Sequence, residues 1–194
     1  MKPSLTLGPL LFHWSEEERR DFYFRVAEEM DVDEVYLGEV TCSKREPFFE
    51  PYQEEVIERL QKAGKKVNLS SLAMVTTPRE IASIKKKAKS GLLVEANDVA
   101  AVQALAGKPF IVGPFINVMN EGTRDYLVGL GAKRVVFASE LSGTAIGMLA
   151  AKGKKVTVAR PSMAANLVQI FRESLTNRHV SMCGFSRVGG KKRK

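Results

Sequence analysis

Residues 92–113 read LLVEANDVAAVQALAGKPFIVG, and the architecture follows from this stretch. Leu92–Ala96 is an apolar run that does not alternate with polar residues, as expected of a strand buried on both faces. Asn97-Asp98 offers a helix start. Val99, Val102 and Leu105 share one helical face, and Gly107 ends the helix. Phe110–Gly113 then opens a second apolar strand. A strand, a helical crossover and another strand define a parallel sheet.

The same theme extends in both directions. Further strands are expected at Leu5–Leu10, Glu34–Gly38, Lys66–Leu72, Arg134–Ala138 and Lys155–Val158, all rich in Val, Ile and Leu. Helices lie between them with clear start signals. Ser15-Glu-Glu-Glu18 is a capping box leading into Phe22, Val26 and Met30. Thr77-Pro78-Arg79-Glu80 is a second one, with proline at the first helical position, followed by Ile81, Ile84 and Ala88. Val56, Ile57 and Leu60 mark a helix ended by Ala63-Gly64. Tyr126, Leu127 and Leu130 line the next, and Ile146 and Leu149 the last before Gly153.

Such alternation closes either as an open doubly wound sheet or as a (β/α) barrel. The loop after the first strand, Gly8–Trp14, holds no G-x-G-x-x-G, which argues against dinucleotide binding. Polar loops after several strands (Glu39–Arg45, Asn97-Asp98, Asn117–Asn120, Ser139-Glu140) suit a barrel with its site at the strand C-termini. Seven strand candidates fall short of eight. The expected fold is therefore an incomplete, TIM-like (β/α) barrel over residues 1–158. An irregular basic tail follows over 159–194, where Arg160-Pro161 breaks the last strand and Met163–Ser174 forms one weak helix.

The chain has 194 residues and a formal net charge of +8. That charge is unevenly placed. Residues 1–150 carry 19 Lys and Arg against 21 Asp and Glu, whereas residues 151–194 carry 11 against one. The body is not basic, and no aromatic residues interleave with Lys191–Lys194, so nucleic-acid binding is not supported. The run Lys85-Lys86-Lys87 and Lys89 reads as the wet face of a helix. No apolar run is long enough to span a membrane, and the N-terminus is a poor signal peptide. Two cysteines far apart make no disulfide framework, which fits a cytoplasmic protein.

Candidate site residues cluster in the loops after strands. Cys42 lies beside Lys44 and Arg45, where two cations would favour a thiolate; a small buried hydrophobe is the other reading. A nucleophilic role would need a histidine, and only His13 and His179 occur, neither in a convincing context. Glu39, Glu95, Asp98 and Glu140 would gather at a barrel mouth as an acid–base set. The favoured alternative makes Asp98 a helix cap, leaves Glu39 and Glu140 solvated, and makes Asn117 and Asn120 turn and cap residues.

Several segments together resemble one family. They are Asp33–Leu37 with Gly38-Glu-Val-Thr-Cys-Ser-Lys-Arg45, the opening Leu7-Gly8-Pro9-Leu10 with Trp14, Leu69–Ala73, Val94–Asp98, Asn117–Asn120 and Ser139–Ser142. In this order they resemble the collagenase-like peptidase family (the U-thirty-two group), in its branch serving ubiquinone biosynthesis. The resemblance implies an iron–sulfur subunit for oxygen-independent hydroxylation of a ubiquinone precursor, paired with a UbiU-like protein as a heterodimer. It implies a 4Fe-4S cluster on four cysteines, with Cys42 as the first metal ligand. The other three belong to a region beginning G-x-x-P-L-A-x-S-x-R-C, which residues 159–194 do not contain, and Cys183 stands in no matching context. The change of charge and the loss of periodicity coincide near residue 159. They give the expectation of a frameshifted or prematurely ended reading frame there. The other readings are a family member that hydroxylates RNA, and a partner-binding chain without catalysis. Peptidase activity is not expected.

Overall fold

The computed structural model describes residues 4–151, 157–161 and 168–172. Seven strands run parallel and in chain order. They are β1 (Ser4–Leu7), β2 (Glu34–Leu37), β3 (Lys66–Ser70), β4 (Val94–Ala96), β5 (Phe110–Val112), β6 (Ala132–Val136) and β7 (Thr157–Pro161). Six helices connect them: α1 (Glu16–Glu29), α2 (Glu46–Lys62), α3 (Pro78–Lys87), α4 (Val99–Leu105), α5 (Glu121–Gly129) and α6 (Gly143–Ala151). This is the α/β class and the incomplete barrel that the alternation implied. The eighth position is filled differently: β8 (Val168–Arg172) runs antiparallel to both β1 and β7 and closes the ring.

Two expectations near the end of the chain are corrected. The weak helix over Met163–Ser174 is replaced at 168–172 by a strand, because the free edges of β1 and β7 offer unpaired backbone groups that a strand satisfies and a helix does not. Proline also does not break β7 at Arg160, since the strand runs to Pro161, where a missing N–H falls on its last residue. Residues 162–167 and 173–194, with Cys183, His179 and Lys191–Lys194, lie outside the described residues.

The sheet has two faces with different chemistry. Val35, Leu37, Val67, Leu69, Val94, Val112, Val135 and Phe137 point outward into the main core under the helices. Tyr36, Ile111, Val136 and Ala159 form a second, smaller cluster, with Leu93 against it. Polar side chains alternate with the outward set along the strands: Glu34, Asn68, Ser70, Glu95 and Arg134, all buried. The barrel is therefore filled partly by hydrogen bonds.

Both capping boxes form, at Ser15 with Glu18 and at Thr77 with Glu80. Asp98 and Asn120 cap α4 and α5, and Asn117 turns the chain at φ 55°. Three expected faces differ. Val99 and Tyr126, both expected on apolar helix faces, are exposed, and α5 buries Arg124 instead. Lys87 leaves the wet face of α3 and is buried. Its ammonium donates to the Ser70 carbonyl at 3.0 Å and pairs with Glu46 at 2.7 Å, so α3 is bound to both β3 and α2. No helix among the described residues is long and apolar enough to cross a membrane.

Candidate functional site

The C-terminal ends of the parallel strands carry the candidate site, and the loop after β2 is its most constrained part. Gly38 opens it at φ +133°, and a Cβ there would lie 2.6 Å from the Ser70 carbonyl oxygen. Only glycine fits a backbone so turned and so close to the next strand.

Glu39 follows, and it is not solvated: its exposure is 4%. Its Oε1 accepts from the Thr41 amide (2.9 Å), the Thr41 hydroxyl (2.7 Å) and the Cys42 amide (3.2 Å). Its Oε2 faces Arg19 of α1 at 3.4 Å, and Arg19 also donates to the Gly38 carbonyl at 2.7 Å. The guanidinium lies 4.4 Å from the centre of the Phe49 ring, so this ion pair is roofed by an aromatic face. A buried carboxylate persists because every lone-pair direction used here meets a donor.

That carboxylate sets the backbone of Cys42, the residue before a short 3-10 turn, Ser43–Arg45. Cys42 is a half-buried free thiol, with Lys44 exposed and Arg45 half-buried beside it. Ser43 hydrogen-bonds the Glu80 carboxylate of the α3 capping box. That carboxylate is drawn down to about 2, first by the Thr76 amide, then by Ser43 and the Thr77 amide. The Cys42 loop is thus tied to β2, α1 and α3 at once.

The remaining expected residues do not converge on Cys42. Glu95 is buried inside the barrel, where its Oε2 accepts from the Ser70 hydroxyl at 2.7 Å and the Asn97 amide at 3.1 Å. Asp98 accepts from the Ala100 amide at 2.7 Å as a cap, and Glu140 is exposed. His13 is exposed in the β1–α1 loop. An iron–sulfur cluster of four irons uses four thiolates. Cys42 is the one cysteine among the described residues, and no group of three or more metal-ligating side chains is found among them. The described residues do not fit such a cluster by themselves.

Around the same mouth stand several exposed apolar side chains: Phe12 and Trp14 after β1, Met74 after β3, and Phe115 and Met119 after β5. Single exposed hydrophobics are ordinary, but five in the loops of one end are not scattered.

The chain is a parallel α/β barrel that keeps its constrained cysteine loop at the C-terminal mouth. Residues 23–159 match peptidase family U32, and the chain belongs to that family. No solved structure matches the chain.

Proposed function

We propose that this chain is a UbiV-like member of the family, acting with a UbiU-like partner in the oxygen-independent hydroxylation of a ubiquinone precursor. The observation that carries this reading is the Gly38–Arg45 loop. It presents one thiol at the barrel mouth, with the backbone of that thiol locked by Glu39. The apolar side chains around the mouth support a covered rather than a free surface there.

Cys42 would contribute one thiolate ligand to the 4Fe-4S cluster, with Lys44 and Arg45 as its charged neighbours in the loop. The other ligands must come from outside the described residues. The test is anaerobic co-expression with a UbiU-like protein, followed by measurement of iron and sulfide in the purified complex. A co-purified pair whose iron falls on Cys42→Ser supports the reading. Co-purification with no iron restricts the chain to partner binding, and no co-purification removes the assignment.

A further inference from the structure

Inside the barrel two acceptor atoms are left over. Glu95 Oε1 and Asn97 Oδ1 are buried and have no hydrogen-bond partner among the described residues. Both residues are 1% exposed. The other halves of the same two groups are bonded to each other, Asn97 Nδ2 donating to Glu95 Oε2 at 3.1 Å. A buried acceptor left unmatched loses its hydration with nothing in return, so two side by side call for a donor.

The surroundings fix the pair in place. Asn97 Nδ2 also donates to the Ser71 carbonyl at 3.0 Å, and the Asn97 backbone amide donates to the Ser71 hydroxyl at 3.1 Å. Ser70 holds Oε2 at 2.7 Å. Across the sheet, Gly113 leaves room for the amide: a Cβ there would stand 1.8 Å from Asn97 Oδ1. The amide cannot flip without losing both of its donor contacts.

One proton resolves both orphans. An amide and a carboxylic acid form a cyclic pair in which N–H meets the acid carbonyl and the acid O–H meets the amide carbonyl. The N–H half is present, and so are two donors on the oxygen that would be the carbonyl. We infer that Glu95 is a neutral carboxylic acid in the folded protein, its Oε1 proton donated to Asn97 Oδ1, and that loss of this proton is a pH-sensitive switch at the barrel mouth.

The electrostatics agree. Burial pushes the Glu95 carboxyl up, opposed by the hydrogen bonds of Ser70 and Asn97 and by the charge of Arg134. The other ionisable groups facing it are Tyr36 and Arg134. Arg134 is already engaged by Glu34, and Tyr36 is itself raised well above the usual phenol range, first by burial. Ionised, Glu95 would set two acceptors against each other and loosen Asn97, whose amides join the loops after β3 and β4. This inference does not depend on the partner or the cluster.

The test compares wild type with Glu95→Gln, an isostere of the neutral acid that can make the same pair. A raised folded value means the folded state holds its proton more tightly than the unfolded chain. Stability therefore declines as pH rises between the unfolded value, about 4.3, and the folded one. Relative to wild type, the folded-to-unfolded ratio of E95Q should rise about tenfold per pH unit across that window. An infrared carbonyl stretch of a neutral carboxyl, present at neutral pH and absent in E95Q, should accompany it. A pH-independent ratio with no such stretch would overturn the inference, and would mean that Oε1 accepts from an enclosed water or ligand hydroxyl. If E95Q does not fold, carbon-13 carboxyl spectra of glutamate-labelled wild type decide. One carboxyl still neutral at neutral pH supports the inference, and all carboxyls ionised there sinks it.

Discussion

Arg134 of β6 reaches across the barrel to Glu34 of β2 in a bidentate pair, its two terminal nitrogens 2.6 and 3.0 Å from the two carboxylate oxygens. The residues are 100 positions apart and both are buried. Asn68 adds a donor to Glu34 at 3.0 Å, and Arg134 also meets the Tyr36 hydroxyl at 3.1 Å. The pair joins opposite walls of the barrel, so it sets barrel diameter as well as charge balance. Removing one partner strands the other charge. Arg134→Leu or Glu34→Leu alone should each cost about 3–5 kcal/mol in denaturant unfolding. The double variant should cost clearly less than the sum, because no buried charge is left unpaired. Additive losses would show that the pair is not coupled.

The same pair gives an acid limit. Burial alone would raise the Glu34 carboxyl, but the hydrogen bonds and charge of Arg134, with Asn68 and Lys66, hold it below the usual range. A lowered acid contributes stability that is complete above the unfolded value, about 4.3, and is lost as pH falls through the folded value. Unfolding free energy should therefore drop below about pH 4 more steeply in wild type than in Glu34→Gln. Parallel curves would exclude Glu34 as the acid-sensitive group.

Much of the scaffold was legible in the sequence. The run 92–113 alone set the parallel crossover, and both capping boxes and the Asp98 and Asn120 caps could be read because each depends on neighbours within a few residues. The interior was not legible in the same way. Glu34, Asn68, Glu95 and Arg134 stood in view as charged or polar residues inside apolar strands, which is a signal for an inward-facing polar layer. Their pairing was hidden, since Glu34 meets Arg134 only once the sheet has curled. Glu39 was misread as solvated for the same reason: its cation, Arg19, comes from the preceding helix. Lys87 looked like one more lysine of a wet face until Glu46 and the Ser70 carbonyl were placed beside it.

Glycine positions that look alike in sequence should respond differently to alanine. Gly64 sits at φ +79° with open space around its missing Cβ, so Gly64→Ala should cost only about 1 kcal/mol, the backbone penalty. Gly38→Ala adds a steric conflict with the Ser70 backbone, which cannot rotate away. It should lose several kcal/mol, about 2–4, and disturb the Cys42 loop as well. Thermal unfolding of the two variants side by side checks this. Equal shifts would mean that β2 and β3 part easily at that point.

The last prediction concerns how Cys42 is held. Glu39 spends one oxygen on Thr41 and Cys42 and the other on Arg19, so the loop opens only when a buried carboxylate loses its donors. Glu39→Gln keeps the shape but gives up the charge-assisted bonds, each worth about 1.5–3 kcal/mol. If loop opening limits access to the half-buried thiol, alkylation of Cys42 by a small reagent should accelerate by about ten- to a hundredfold in this variant. Glu140→Gln, on an exposed carboxylate at the same end of the barrel, should leave the rate unchanged. An unaltered rate in Glu39→Gln would mean that the thiol is reached without opening the loop. In that case Glu39 would serve the join between α1 and β2 rather than the presentation of Cys42.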